Sequence, residues 1–123
     1  MKRSQPKRDW SDGRQKVEDE GQCRVCGINR GLQAAHTLGR KHDLPKRPGQ
    51  KTLWVNPDGI VPLCQICHTA YDHHELDLLP YLTGSEELYA VANAGLEQAR
   101  IRLAPSDYAR NIVAARVEAK EAA

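Results

Sequence analysis

The sequence predicts a small α+β domain, stapled by a four-cysteine metal site and extended by C-terminal helices. Three observations carry this. All four cysteines fall in two C-x2-C pairs, Cys23/Cys26 and Cys64/Cys67. Short β-prone runs lie between the pairs, and helical apolar spacing takes over after about residue 83. Aromatics make up only 5% of the 123 residues and Phe is absent, so the core is thin and a staple is expected.

Taken in order, residues 1–20 read as a basic mobile arm, helical towards its end. Residues 21–30 form the first cysteine knuckle, and 32–38 (LQAAHTL) a short strand. The stretch 39–51 holds Gly39, Pro45, Pro48 and Gly49 and reads as a long loop. Residues 52–55 (TLWV) are briefly β-prone, Asn56-Pro57-Asp58-Gly59 is a turn by composition, and 60–63 (IVPL) is a second strand. A helix is expected from the second knuckle to about Leu79, ended by Pro80. Thr83 and Glu86 fit a capping box for a helix over about 84–102, with Leu88, Val91, Ala92, Leu96, Ala99 and Leu103 as its apolar stripe. Pro105 precedes a last helix carrying Tyr108, Ile112, Val113 and Ala115. The expected division is an arm (1–20), a central domain (21–80) and a helical extension (81–123).

Formal net charge is only +2, which does not by itself mark a nucleic-acid binder. The distribution is less even. Lys2, Arg3, Lys7, Arg8, Arg14 and Lys16 face only Asp9 and Asp12, and Arg40, Lys41, Lys46, Arg47 and Lys51 face only Asp43. Two such clusters could neutralise several phosphates, or be a solvated tail and a solvated loop. No apolar run approaches the roughly 20 residues of a membrane span. The basic start lacks the apolar core of a secretory leader, so a cytoplasmic protein with no membrane partner is expected.

In a chain expected inside the cell, paired cysteines point to metal rather than disulfides. Two C-x2-C knuckles can present four thiolates tetrahedrally to Zn²⁺, and Gly27 suits the first turn. A redox pair or buried free thiols are the plainer alternatives. The 37 residues between Cys26 and Cys64 exceed the spacing of a plain zinc ribbon, so the insert should carry the function. All five histidines lie inside or just after it. His36 falls in the first strand. His68 follows Cys67 directly, with Asp72 four residues on and thus on the same helix side. Each histidine could be a metal ligand or a general base, or an ordinary strand histidine and a zinc ligand or cap.

The text CRVCG (23–27), AAHTLGRKHD (34–43) and GIVPLCQICHTAYD (59–72) resembles HNH endonucleases of the ββα-metal type. The match covers about 50 residues, and the whole resembles small free-standing HNH proteins of bacteriophages and prophages. The resemblance implies a two-stranded hairpin packed on a helix with a metal between them, DNA as substrate, a phage terminase as a partner and a bacterial host's cytoplasm as location. It implies that His36 is the general base and His68 a ligand of the catalytic ion, which could be Mg²⁺, Mn²⁺, Ni²⁺ or Zn²⁺. At two positions the sequence departs from the family: Ala35 stands where a metal ligand often precedes the first His, and Gly59 stands where the Asn is usual. Asn56 and Asp58 lie close by and could hold the hairpin loop by hydrogen bonding, with Asn56 the candidate for the Asn role. Asp72 is the first candidate for a second metal ligand, followed by His42, Asp43 and His73. Arg40, Lys41, Lys46 and Arg47 are the candidate phosphate contacts. The alternative is a catalytically inactive, zinc-stabilised module that binds DNA or protein.

Overall fold

A computed structural model describes residues 6–110. Its centre is an antiparallel hairpin of β2 (Leu32–His36) and β5 (Ile60–Cys64), in register from Leu32 opposite Cys64 to His36 opposite Ile60. The register sets a cysteine at one end of the hairpin and a histidine at the other. β5 reads IVPLC and is buried throughout, as an unbroken apolar run covered on both faces should be. Cys64 is also the N-terminal cap position of helix α2 (Gln65–Asp72), so strand passes directly into helix.

Alternation along the hairpin builds two apolar clusters, one on each face. Ala35, Val61 and Leu63 pack with Tyr71, Leu78, Ala90 and Leu103. Ile60 packs with Val17 and Val55, and Leu32, Ala34 and Trp10 border them. The second cluster belongs to helix α1 (Ser11–Glu20), and Arg8–Asp9 (β1) pairs in parallel with Leu53–Trp54 (β4). Leu44–Pro45 (β3) completes that small sheet, antiparallel to β4. Residues 8–20, expected to be a mobile arm, are thus built into the fold. The extension is equally integral, because Ala90, Ala99 and Leu103 share the first cluster. Neither residue 20 nor residue 80 separates two cores.

The helix expected to reach Leu79 ends at Asp72. His74 takes a left-handed φ of 60°, and the amides of His74 and Glu75 turn back to the carbonyls of Tyr71 (3.0 Å) and Ala70 (2.9 Å). This is a Schellman stop without the glycine that would have announced it. The helix expected over 84–102 is two helices, α3 (Gly84–Ala94) and α4 (Leu96–Leu103), parted at Gly95 with φ 82°. The break changes the phase of the stripe. Leu88 and Leu96 are exposed, whereas Ala90, Ala99 and Leu103 are buried. The Thr83/Glu86 capping box is present. Residues 105–110 are helical; Ile112, Val113 and Ala115 lie outside the described residues.

Glu86 does more than cap. Its carboxylate is 1% exposed and accepts from Lys16 Nζ (2.5 Å) and from Arg24 Nη1 (2.7 Å) and Nη2 (3.0 Å). Lys16 also donates to the carbonyls of Pro57 and Ile60 at 2.7 Å. Burial works against the charge, but these donors and the Thr83 amide hold the carboxyl at about 2. One buried anion thus ties α1, the first knuckle, the hairpin and α3 together. Among the described residues, no helix is long and apolar enough to cross a membrane.

Candidate metal centre and histidine cleft

At one end of the hairpin the four cysteine sulfurs all lie within 4.8 Å of one another. The first knuckle closes through Cys23 N to Ile28 O (2.7 Å) and Gly27 N to Cys23 O (3.0 Å), with Gly27 at φ 79°. Arg24 N donates to Pro62 O (2.9 Å), which fastens this knuckle to β5. The second pair comes from the β5–α2 junction. A tetrahedral zinc site with Zn–S near 2.3 Å has S–S edges of about 3.8 Å. The Cys26–Cys64 sulfurs stand 3.6 Å apart and all four thiols are free, so the donor set fits a metal ion such as zinc.

The thiols do not share charge equally. Burial would raise Cys23, but amide hydrogen bonds from Cys26, Cys64 and Val25 bring it down to about 6. Burial and the neighbouring thiols push Cys67 far above the usual thiol range. Without a cation the cluster favours one thiolate and resists the next; a divalent ion removes that conflict.

At the other end, His36 Nε2 stands 3.0 Å from Asp43 Oδ2 and 3.3 Å from Oδ1. Arg8 Nε donates to the same Asp43 Oδ2 at 3.0 Å. Asp43 is buried, and Trp10 meets the His36 ring edge-on, with centroids 5.2 Å apart. A carboxylate on Nε2 keeps the proton on that nitrogen and leaves the lone pair on Nδ1. Burial lowers the His36 pKa below its ordinary value, with Arg40 and Arg8 helping and Asp43 opposing. The ring is therefore neutral at pH 7, as a proton acceptor must be.

His36 and His68 line one cleft of about 240 Å³ together with Trp10, Arg40, Asp72 and Arg102. His68 Nδ1 lies 2.6 Å from Gln33 Oε1, and its Nε2 lies 3.5 Å from Asp72 Oδ2. The i, i+4 spacing thus brings His68 and Asp72 together. Arg102 Nη2 stands 3.5 Å from Asp72 Oδ1, and its guanidinium lies 4.4 Å from the centre of the Tyr71 ring. Among the described residues, the cysteines are the one group of three or more His, Cys, Asp or Glu side chains placed to hold an ion. His68 and Asp72 make a pair.

Other expected site residues fall elsewhere. Asn56 Oδ1 accepts from Asp58 N (3.0 Å), capping the Pro57–Gly59 turn, and Asn56 lines a neighbouring cleft. Asp43 is engaged by His36 and Arg8. His42 and Lys41 line a third cleft, while His73 is exposed at the end of α2. Arg40 lies 5.8 Å over the Trp10 ring, and Lys46 5.1 Å over that of Trp54. Arg47 is exposed.

Ala35 is fully buried in the core, and Gly59 sits beneath Tyr89 of α3. A Cβ on Gly59 would come within 2.6 Å of the Tyr89 ring, so an asparagine there would require the Tyr89 side chain to move. Sequence reasoning did not find Arg8, Trp10 or Arg102. Trp10 and Arg102 reach the cleft, and Arg8 reaches Asp43 beside it, from distant segments that no local pattern announces. Comparisons with protein families, with curated proteins and with solved structures find no match for this chain.

Proposed function

We propose that this protein is a metal-dependent endonuclease of the HNH type that hydrolyses DNA phosphodiester bonds. The observation that carries the reading is that His36, neutral and oriented by Asp43, shares a cleft with His68 and Asp72. In this reading His36 Nδ1 takes a proton from the attacking water. Asp43 holds the ring and stabilises the imidazolium as it forms, and Arg8 fixes the carboxylate. Arg40 and Arg102, at the rim, are suited to phosphate oxygens. A divalent ion held by His68 and Asp72 would offset the charge growing on the phosphoryl group and the leaving oxygen. Two protein donors suit an ion of the Mg²⁺ kind, which keeps several waters and takes phosphate oxygens as ligands. The cysteines would hold a separate structural Zn²⁺. Work beside a phage terminase belongs to the same proposal.

The test is supercoiled plasmid incubated with purified protein and Mg²⁺, Mn²⁺ or Ni²⁺. Nicked or linear DNA is expected, with a loss of about 100-fold or more in His36→Ala. If no ion yields product, or His36→Ala cuts like the parent, the reading fails.

Two observations favour the second reading, a zinc-stabilised binding module without cutting activity. Ala35 supplies no ligand and Arg102 already engages Asp72. That reading predicts DNA retention in a gel with no cleavage under any ion, indifferent to His36→Ala.

A further inference from the structure

The histidine cleft does not end at Arg102. Leu38, Gly39 and Arg102 also line a second cleft of about 470 Å³, walled on one side by Lys41 and His42 and on the other by α3 and α4. His42 and Asn93 in turn line a third cleft of about 280 Å³, which contains Lys46, Trp54, Asn56 and Tyr89. The three clefts are neighbours with shared wall residues, and we read them together as one groove. Among the described residues, Lys41, Lys46, Arg102 and two histidines line its second and third parts, and no Asp or Glu lines them. At the far end Asn56 has its carbonyl engaged by Asp58 N, leaving its amide N–H groups to a ligand. Asn93 is the complement. Its N–H donates to Tyr89 O (2.8 Å), leaving its carbonyl oxygen as an acceptor.

We infer that this groove holds a single nucleic-acid strand leading away from the histidine cleft, with α3 and α4 as one of its walls. Cations without carboxylates follow a phosphate backbone, and aromatic rings with a paired donor and acceptor suit an unpaired base. Bases in a duplex are stacked on one another and would leave Trp54 and Tyr89 unused. The groove therefore selects a strand that is already unpaired or frayed. The inference rests on the nuclease reading for the substrate's chemistry, but its test does not depend on cleavage.

Fluorescence anisotropy of a labelled 20-nucleotide single strand, with His36→Ala protein and no added divalent ion, reads the groove directly. Asn93→Glu puts a carboxylate on the helical wall and should weaken binding about tenfold or more. Lys46→Glu on the loop wall should do the same. Leu88→Glu, on the same helix but outside the groove, should bind as the parent does. These side chains are exposed, and thermal unfolding of each variant checks that the fold survives. The inference is overturned if Asn93→Glu binds like the parent, if Leu88→Glu loses as much, or if the losses are equal for a duplex. Polyglutamate displacing the strand as well as unlabelled DNA does would overturn it too, because the groove would then read only charge. Loss of strand binding in a protein that never nicks plasmid sinks the nuclease reading alone. Nicking without any effect of Asn93→Glu sinks the groove alone.

Discussion

The two ends of the β2–β5 hairpin, whose strands are five residues long, are built on opposite plans. At the cysteine end, Cys23, Cys26, Cys64 and Cys67 come from two tight local turns, and the donor set is complete. At the histidine end, His36 depends on Asp43 from the long loop and Arg8 from β1, with Trp10 against its ring. His68, Asp72 and Arg102 join from α2 and α4. A staple needs only its own ligands, so it can be local and saturated. A reactive site needs groups with unused capacity facing a cleft, so it draws them from several elements and leaves them part-exposed. The buried Glu86 joins the two ends, since Arg24 belongs to the first knuckle and Lys16 bonds the Ile60 carbonyl opposite His36.

Breaking the cysteine end should have the largest effect. Cys64→Ser, or a strong chelator, should abolish cooperative unfolding and release one Zn²⁺ per chain. With zinc in the cluster, the free energy of binding it, about 10 kcal/mol or more, would be folding free energy. Metal content and circular dichroism measure it, and a chain that keeps its melting transition without metal would refute the staple.

Next in size is the link between the ends. Glu86→Ala leaves Lys16 and Arg24 facing each other without their anion and should cost about 3–5 kcal/mol in urea unfolding. The wild-type pH profile follows from the same group. Its folded pKa is depressed from 4.5 to about 2, so its contribution is complete above 4.5 and is lost as pH falls through about 2. In Glu86→Ala that part of the acid sensitivity should be absent.

The histidine end is sharpened by Asp43→Asn. Under the proposed nuclease reading, cleavage should fall about 100-fold, because the amide neither fixes the tautomer nor stabilises the imidazolium. Asp43 raises the His36 pKa, so its neutralisation should lower it. The acid limb of the rate–pH profile, already below the ordinary histidine value, should move further down. Histidine NMR titration checks the shift independently of activity, and an unmoved His36 would refute the coupling.

The smallest expected effect lies at the border of the histidine end. Gly59→Ala should cost about 1–3 kcal/mol through overlap with the Tyr89 ring. Adding Tyr89→Leu should recover part of that loss, and a double-mutant cycle of unfolding measures the coupling.

Much of the hairpin was legible because its signals are local. A short β-prone run marked 60–63, Thr83 and Glu86 marked the start of α3, and the cysteine spacing marked the metal-site ligands. The end of α2 was not legible, because a histidine rather than a glycine takes the left-handed position. The α3–α4 stripe was misread, because Gly95 was passed over as an interior helix residue.

The sequence by itself determined the two C-x2-C pairs, the capping box and the pairing of His68 with Asp72, all set by neighbours a few residues apart. Only the tertiary structure decided that Asp43 and Arg8 hold His36, that the Tyr89 ring crowds position 59, and that Arg102 lines the cleft. Each of these joins segments at least seven residues apart, and contacts at that range follow from how the faces of the hairpin are covered rather than from any local pattern.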